Sequence, residues 1–320
     1  MRPLLSLLLL AACASAAPPD AFAPVLVESR AIAFDVSDAA STGAGPLRFM
    51  GGIELRARDD WFGGWSALRC PDRCYAVGDA GAVLRFDLVE DGDRLTGIAN
   101  VEAAAQLDAA GSAGDKNSRD AEALVVSPGG SEALVAYEGS NSFWVVPLDR
   151  DRWQAKQSYR LAEMADWAKN GGPETLVLLP SGRPLVIAEQ GDGTRVPAII
   201  VGGKPGGNTT FHYVPPARFA PTDAVVDGDR LIVLNRAFSA LAGVAIALTE
   251  VPIEALVDGA TVTGNELVRL RPPVNVDNME GIELRRAGGR TFLYLLSDDN
   301  FNDAQRTLLL KFEMKTQPIP

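Results

Sequence analysis

The stretch Asp277-Asn-Met-Glu-Gly-Ile-Glu-Leu-Arg-Arg-Ala-Gly-Gly-Arg-Thr-Phe-Leu-Tyr-Leu-Leu-Ser-Asp-Asp-Asn300 reads as an acidic head, a strand, a Gly-Gly turn, a more apolar strand and an acidic tail. A two-residue Gly-Gly connection between strand-like runs is a strong hairpin signal. A hairpin returns its second strand to the edge where the first began, so Glu280 should meet Asp298 and Asp299 there.

Upstream segments repeat this unit in weaker form. Glu122 heads Ala-Leu-Val-Val-Ser-Pro-Gly-Gly-Ser-Glu-Ala-Leu-Val-Ala-Tyr-Glu138, and Glu174 heads Thr-Leu-Val-Leu-Leu-Pro-Ser-Gly-Arg-Pro-Leu-Val-Ile-Ala-Glu189. Ser66 and Asp223 head two more, which end at Asp79 and at Asn235-Arg236. The heads recur roughly every fifty residues, the interval of a β-propeller blade. The expectation is an all-β chain folded as a single propeller over residues 24–315, six-bladed, with five blades marked by these hairpins. The sixth would combine N-terminal strands at residues 25–36 and 47–56 with the last strand at 307–314, and so close the ring. Radial blades bring equivalent hairpin positions to one rim, which turns recurring acidic heads into a ring of carboxylates. Such a ring repels itself unless a cation, protons or solvent offset the charge.

Residues 1–16 read as an export signal. Met1-Arg2 supplies the charged start, residues 4–10 an apolar run too short to span a bilayer, and Ala14-Ser-Ala16 a small-residue cleavage site. Leu10-Ala-Ala-Cys13 also fits a bacterial lipobox, in which Cys13 would be lipidated and anchor the protein to the outer membrane. The two processing routes compete, and either places the mature chain outside the cytoplasm, in the periplasm or at the outer membrane. With Cys13 assigned to the signal, Cys70 and Cys74 remain, separated by Pro71-Asp72-Arg73. In an oxidising compartment this pair should form a disulfide at a hairpin turn. His212, the one histidine, lies far away in sequence, so a Cys/His zinc site is not expected.

A chain of 320 residues that is 47% hydrophobic can bury a large core, and no later apolar run is long enough for a transmembrane helix. The net charge of -11 argues against nucleic-acid or anionic-membrane surfaces and suits a cation-binding protein. Residues 107–120 are rich in Gly, Ser and Asp and read as an exposed connection. Residues 161–169 form the one plausible short helix. A monomer is expected.

Several of these segments resemble a known family. Arg119-Asp-Ala-Glu-Ala-Leu124, Asn170-Gly-Gly-Pro-Glu-Thr-Leu176, Asn235-Arg-Ala-Phe-Ser239, Asp277-Asn-Met-Glu-Gly-Ile282 and Leu296-Ser-Asp-Asp-Asn-Phe-Asn302 look like the bacterial phytase-like family, labelled "esterase-like activity of phytase". The resemblance covers roughly residues 48 to 313. It implies a propeller related to calcium-dependent phytases and exported from the cell. The chain departs from the family pattern at Gly63-Gly-Trp-Ser-Ala-Leu68, at Thr175, and at the tail Asn235-Arg236, which has no acid.

Oxygen ligands without His or Cys favour Ca²⁺ over zinc or copper. Glu122, Glu174, Glu280, Asp298 and Asp299 are the expected metal ligands. A calcium rim could neutralise a phosphate or ester oxyanion and orient a water, a hydrolysis that needs no covalent nucleophile. On that scheme Glu122, Glu174 and Glu280 are also the catalytic candidates, and Arg119 and Arg236 would grip a phosphoryl group. The substrate would be a small phosphate or carboxylic ester. A serine hydrolase is disfavoured, because there is no Gly-x-Ser-x-Gly elbow and His212 sits in a strand-like run with no acidic neighbour. The competing expectation is a non-catalytic periplasmic or surface binding propeller, since propellers serve many unrelated functions.

Overall fold

The structure is a computed structural model, and it describes residues 17–38, 40–114, 119–204, 207–241 and 243–315. The export segment with Cys13 lies outside the described residues. The described residues form five sheets, antiparallel but for one edge strand, and each uses one of the five hairpins read from the sequence. The first blade runs outward from Trp65–Arg69 through Cys74–Gly78 and Ala82–Asp91 to Arg94–Ala105, with Ala23–Pro24 on its edge. The second is Ala121–Val126, Glu132–Tyr137, Ser142–Pro147 and Gln157–Tyr159. In the third, Pro173–Leu178, Pro184–Ala188, Val196–Lys204 and Gly207–Val214 are extended by Thr261–Thr263, which pairs in parallel. The fourth is Ala220–Asp227, Arg230–Ser239, Gly243–Pro252 and Asn265–Leu270.

The fifth blade corrects the expected count of six. Asn278–Ala287, Arg290–Asp298 and Leu308–Met314 are followed in the same sheet by the N-terminal strands Leu47–Arg56 and Glu28–Ile32. The segments assigned to a sixth blade are therefore the outer strands of the Glu280 hairpin. The physical reason is edge pairing: Leu308–Met314 exposes a free ladder of backbone groups, and Leu47–Arg56 satisfies it directly without needing a hairpin of its own. The helix expected at residues 161–169 is a single 3-10 turn, Ala162–Met164.

Blades form here because the strands are apolar on both faces. Leu231-Ile-Val-Leu-Asn235 and Phe292-Leu-Tyr-Leu-Leu296 are buried throughout, as strands packed between two neighbouring sheets must be. Five apolar clusters lie between adjacent blades. One joins Leu68 and Phe86 of the first blade to Ile53, Phe292 and Leu309 of the fifth. The others join fourth to fifth, third to fourth, first to second and second to third. A buried cation also ties the fifth blade to the first: Lys311 Nζ lies 2.9 Å from a Glu90 carboxylate and 4.2 Å from the Phe292 ring centroid.

Two turns follow their sequence signals. Gly288 and Gly289 both have positive φ, 57° and 73°, as a two-residue hairpin between Ala287 and Arg290 requires. Cys70 and Cys74 are disulfide-bonded across the first blade's turn.

Candidate functional site

Each of the five inner strands carries an irregularity at the same place. The pairing register slips at Ser66, Glu122, Glu174, Thr222 and Glu280, each left out of the ladder between regularly paired neighbours. A bulge inserts an extra residue and re-aims its side chain. Three glutamates are thereby presented at one mouth of the central channel. In the fourth blade the head position belongs to Thr222, not to Asp223, which the repeat alone had suggested. Thr222 donates to the Met279 carbonyl at 3.2 Å.

Displaced by one residue, Asp223 belongs to the channel. Its carboxylate accepts both Arg69 nitrogens at 2.7 Å, together with the Ile282 and Ala224 amides. Arg69 donates as well to the carbonyls of Leu68, Leu176 and Ile282, so one guanidinium fastens inner strands of the first, third, fourth and fifth blades. Burial opposes its charge, but Asp223 outweighs that and raises its affinity for the proton. Matching inner-strand positions Ala67, Ala123, Thr175 and Gly281 are small, which leaves room for this pair.

Above this plug the acids gather. Carboxylate oxygens of Asp120, Glu122 and Glu138 lie within 4.8 Å of one another, and so do those of Glu138, Glu174 and Glu189. Glu138 thus joins both groups. Its Oε1 accepts the backbone amides of Gly171 and Gly172 from the next blade, the latter at 3.2 Å. Arg236 bridges two acids, with Nη2 donating to Glu189 at 3.2 Å and Nε 2.9 Å from Glu280 Oε1. That second contact is an ion pair only, since the Nε–H is not aimed at the oxygen. Arg236 stands at the hairpin end where Asp79, Glu138, Glu189 and Asp298 stand in the other blades.

The crowding shows in the proton affinities. Burial pushes Glu280 up to about 8, with Arg236 pulling it down and Asp298 and Glu189 pushing it further up. Burial raises Asp298 to about 7, reinforced by Asp79 and Asp299 and opposed by the Asn300 amide. Glu122 and Glu174 are raised by burial and then by neighbouring acids, Asp120 and Glu138 for the first, Glu122 and Glu189 for the second. Four of the acids picked from sequence, Glu122, Glu174, Glu280 and Asp298, therefore belong to one electrostatic cluster.

Asp299 and Arg119 stand differently. Asp299 accepts Gly64 N–H at 3.2 Å, Thr307 Oγ1–H at 2.9 Å and Phe301 N–H at 3.1 Å, which ties the last loop to the first blade. Arg119 lays its stem across Gly81, where a Cβ would fall 2.3 Å from its Cδ. The ligands expected from sequence were three hairpin heads and one tail, Asp298 with Asp299, a set that left out Asp79, Asp120, Glu138 and Glu189. The signal was present, because three of these are hairpin tails equivalent to Asp298. His212 lies in an outer strand of the third blade, paired with Pro197 and Thr261.

Gly63 and Gly64, which lead into the first inner strand, have a local reason to be glycine. Both have positive φ, 148° and 63°, and a Cβ would come within 2.5 Å of Asp299 Oδ1 at Gly63 and 2.0 Å of Asp79 Oδ1 at Gly64. Only glycine lets the backbone approach these carboxylates so closely.

The donor set fits a hard cation. It is all oxygen, drawn from the second and third blades, with Glu138 preoriented by backbone amides, and is unfavourably charged by itself. Among the described residues no helix is long and apolar enough to cross a membrane.

Solved structures similar to the chain are distant. They include hydrazine synthase of Kuenenia stuttgartiensis (13% identity, 74% of this chain and 77% of that one, TM-score 0.40). An α-L-arabinofuranosidase from Clostridium thermocellum gives 11% identity, 72% and 82% coverage, and a TM-score of 0.44. An exo-β-1,3-galactanase from Phanerochaete chrysosporium gives 10%, 78% and 60%, and 0.46. At these scores none informs the function of this chain. No curated protein sequence matches significantly. The family model for "esterase-like activity of phytase" matches residues 60–301, and the chain belongs to this phytase-like family.

Proposed function

We propose that the protein is an exported hydrolase of phosphate or carboxylic esters that works with Ca²⁺ at the carboxylate mouth. The observation that supports this most is the convergence of buried and half-buried acids from the second, third and fifth blades beside Arg236 of the fourth. Glu122, Glu138, Glu174 and Glu189 would hold the ion, with Asp298 and Asp299 completing the acidic edge. Bound calcium would offset their repulsion and polarise a phosphoryl or carbonyl oxygen. Arg236 pairs with the substrate's anionic oxygens, and Arg119 is the second candidate for that grip. Glu280, beside Arg236 at the mouth, would take the proton of an attacking water or return one to the leaving oxygen. Export by the segment at residues 1–16, followed by either cleavage after Ala16 or lipid anchoring through Cys13, belongs to the same proposal.

Turnover of p-nitrophenyl phosphate and p-nitrophenyl acetate, each with calcium and with chelator, tests it. Calcium-dependent turnover that Glu280→Gln lowers at least about tenfold is the expected result. A protein that turns over neither ester yet retains a peptide or glycan tightly would be a binding propeller instead.

A further inference from the structure

The turn after the last site strand holds two consecutive residues in the left-handed region, Asn300 and Phe301, each at φ 49°. For phenylalanine that backbone conformation is uphill. Two acids of the mouth hold it in place: Asp298 Oδ1 accepts the Asn300 amide at 2.6 Å, and Asp299 Oδ1 accepts the Phe301 amide at 3.1 Å. The residue so presented is 47% exposed. Its Cε2 would lie 2.7 Å from a Cβ on Gly64, the same point that approaches the Asp79 carboxylate to 2.0 Å. Phe301 therefore borders the acidic mouth directly. Phe301 also lines an open, mostly polar cleft of about 500 Å³, with Phe62, Asp60, Asp299 and Arg306. One aromatic side chain thus stands between the mouth and an open cleft.

Leaving a large ring half in water on a strained turn sacrifices stability twice, and a ligand that covers the ring recovers the apolar part. Apolar surface also rises beside Arg236. Phe238 lies two residues further along the same strand, on the same face by strand alternation, and is 70% exposed.

We infer that Phe301 is a specificity-determining residue, a platform for an aryl or similarly flat apolar group carried by the substrate next to its anionic or ester head. This rests on the hydrolase reading above, in which that head sits at the carboxylate mouth.

Phenylphosphonate and methylphosphonate share one anionic head, differ in the ring, and resist hydrolysis. Calorimetric titration with calcium present should find phenylphosphonate bound about tenfold more tightly by the unaltered protein. Phe301→Asn removes the ring but keeps a residue that tolerates left-handed backbone. It should reduce the preference to under about threefold with methylphosphonate affinity unchanged. Phe301→Gly, which adopts this φ freely, is the second variant should the first fold poorly. Equal binding of both ligands by the unaltered protein overturns the platform and leaves the anion site standing. Retention of the tenfold preference in the variants overturns it as well, whereas binding of neither ligand overturns the platform together with the phosphate-ester part of the hydrolase reading.

Discussion

At the scale of single residues, Arg69 and Asp223 set the floor of the site. The pair is buried and almost fully hydrogen-bonded, so deleting one partner strands a charge in the channel. Arg69→Met should destabilise the protein by about 3–5 kcal/mol, measured by urea unfolding, and Arg69→Met with Asp223→Leu should recover part of that loss. The mouth acids make a second prediction, on pH. Glu280 and Asp298 bind protons more tightly folded than unfolded, at about 8 and about 7. Between their ordinary carboxylate range and those values the native state holds the extra protons, so stability falls as pH rises. Without calcium the melting temperature should drop from pH 5 to pH 8.5, and calcium should raise it more at pH 8.5 than at pH 5. Scanning calorimetry with chelator and with calcium decides this, and a metal-free melting temperature that climbs over the interval would contradict it.

At the scale of elements, the repeated bulge of the inner strands does what the repeat in sequence could only suggest. It turns Glu122, Glu174 and Glu280 toward the mouth while the residue after each one points elsewhere, which is why Thr222 and Asp223 exchange roles. The first blade enters its inner strand through Gly63 and Gly64, whose backbone touches two of the acids. Gly64→Ala should cost roughly 2–4 kcal/mol, from the left-handed φ and the collision with Asp79, and should also weaken the calcium response. Thermal melts with and without calcium read both effects. A variant as stable and as calcium-responsive as the parent would show that the close approach is dispensable.

At the scale of the whole molecule, the five clusters between blades make the mouth rigid, and calcium should act on the entire ring. Binding to the native state alone raises stability by mass action, so a calcium concentration a hundredfold above Kd should add about 2.7 kcal/mol. Glu280→Gln should diminish that gain, whereas Glu254→Gln, on an exposed turn of the fourth blade, should not. Glu90 would be a poor control, because its carboxylate pairs with the buried Lys311 and accepts the Tyr294 hydroxyl. A melting temperature indifferent to both calcium and chelator would refute the metal site and leave the propeller untouched.

The sequence by itself determined the hairpins, their apolar strands, the Gly288-Gly289 turn, the Cys70–Cys74 pairing and the recurrence of acids at hairpin ends, because each is a local pattern of turn chemistry and side-chain alternation. The family likeness was legible for the same reason, in short segments such as Asp277-Asn-Met-Glu280. Blade number was decided only in three dimensions, by where Leu47–Arg56 found an unpaired edge, a contact between residues far apart in the chain. So was the division of labour among the acids. Glu138 gained its place from the Gly171 and Gly172 amides of the next blade, and Asp223 lost its place at the rim to Arg69. A period-2 strand shows which residues share a face, but one bulge exchanges the faces, and neither the bulge nor the partner waiting across the channel is written in local sequence.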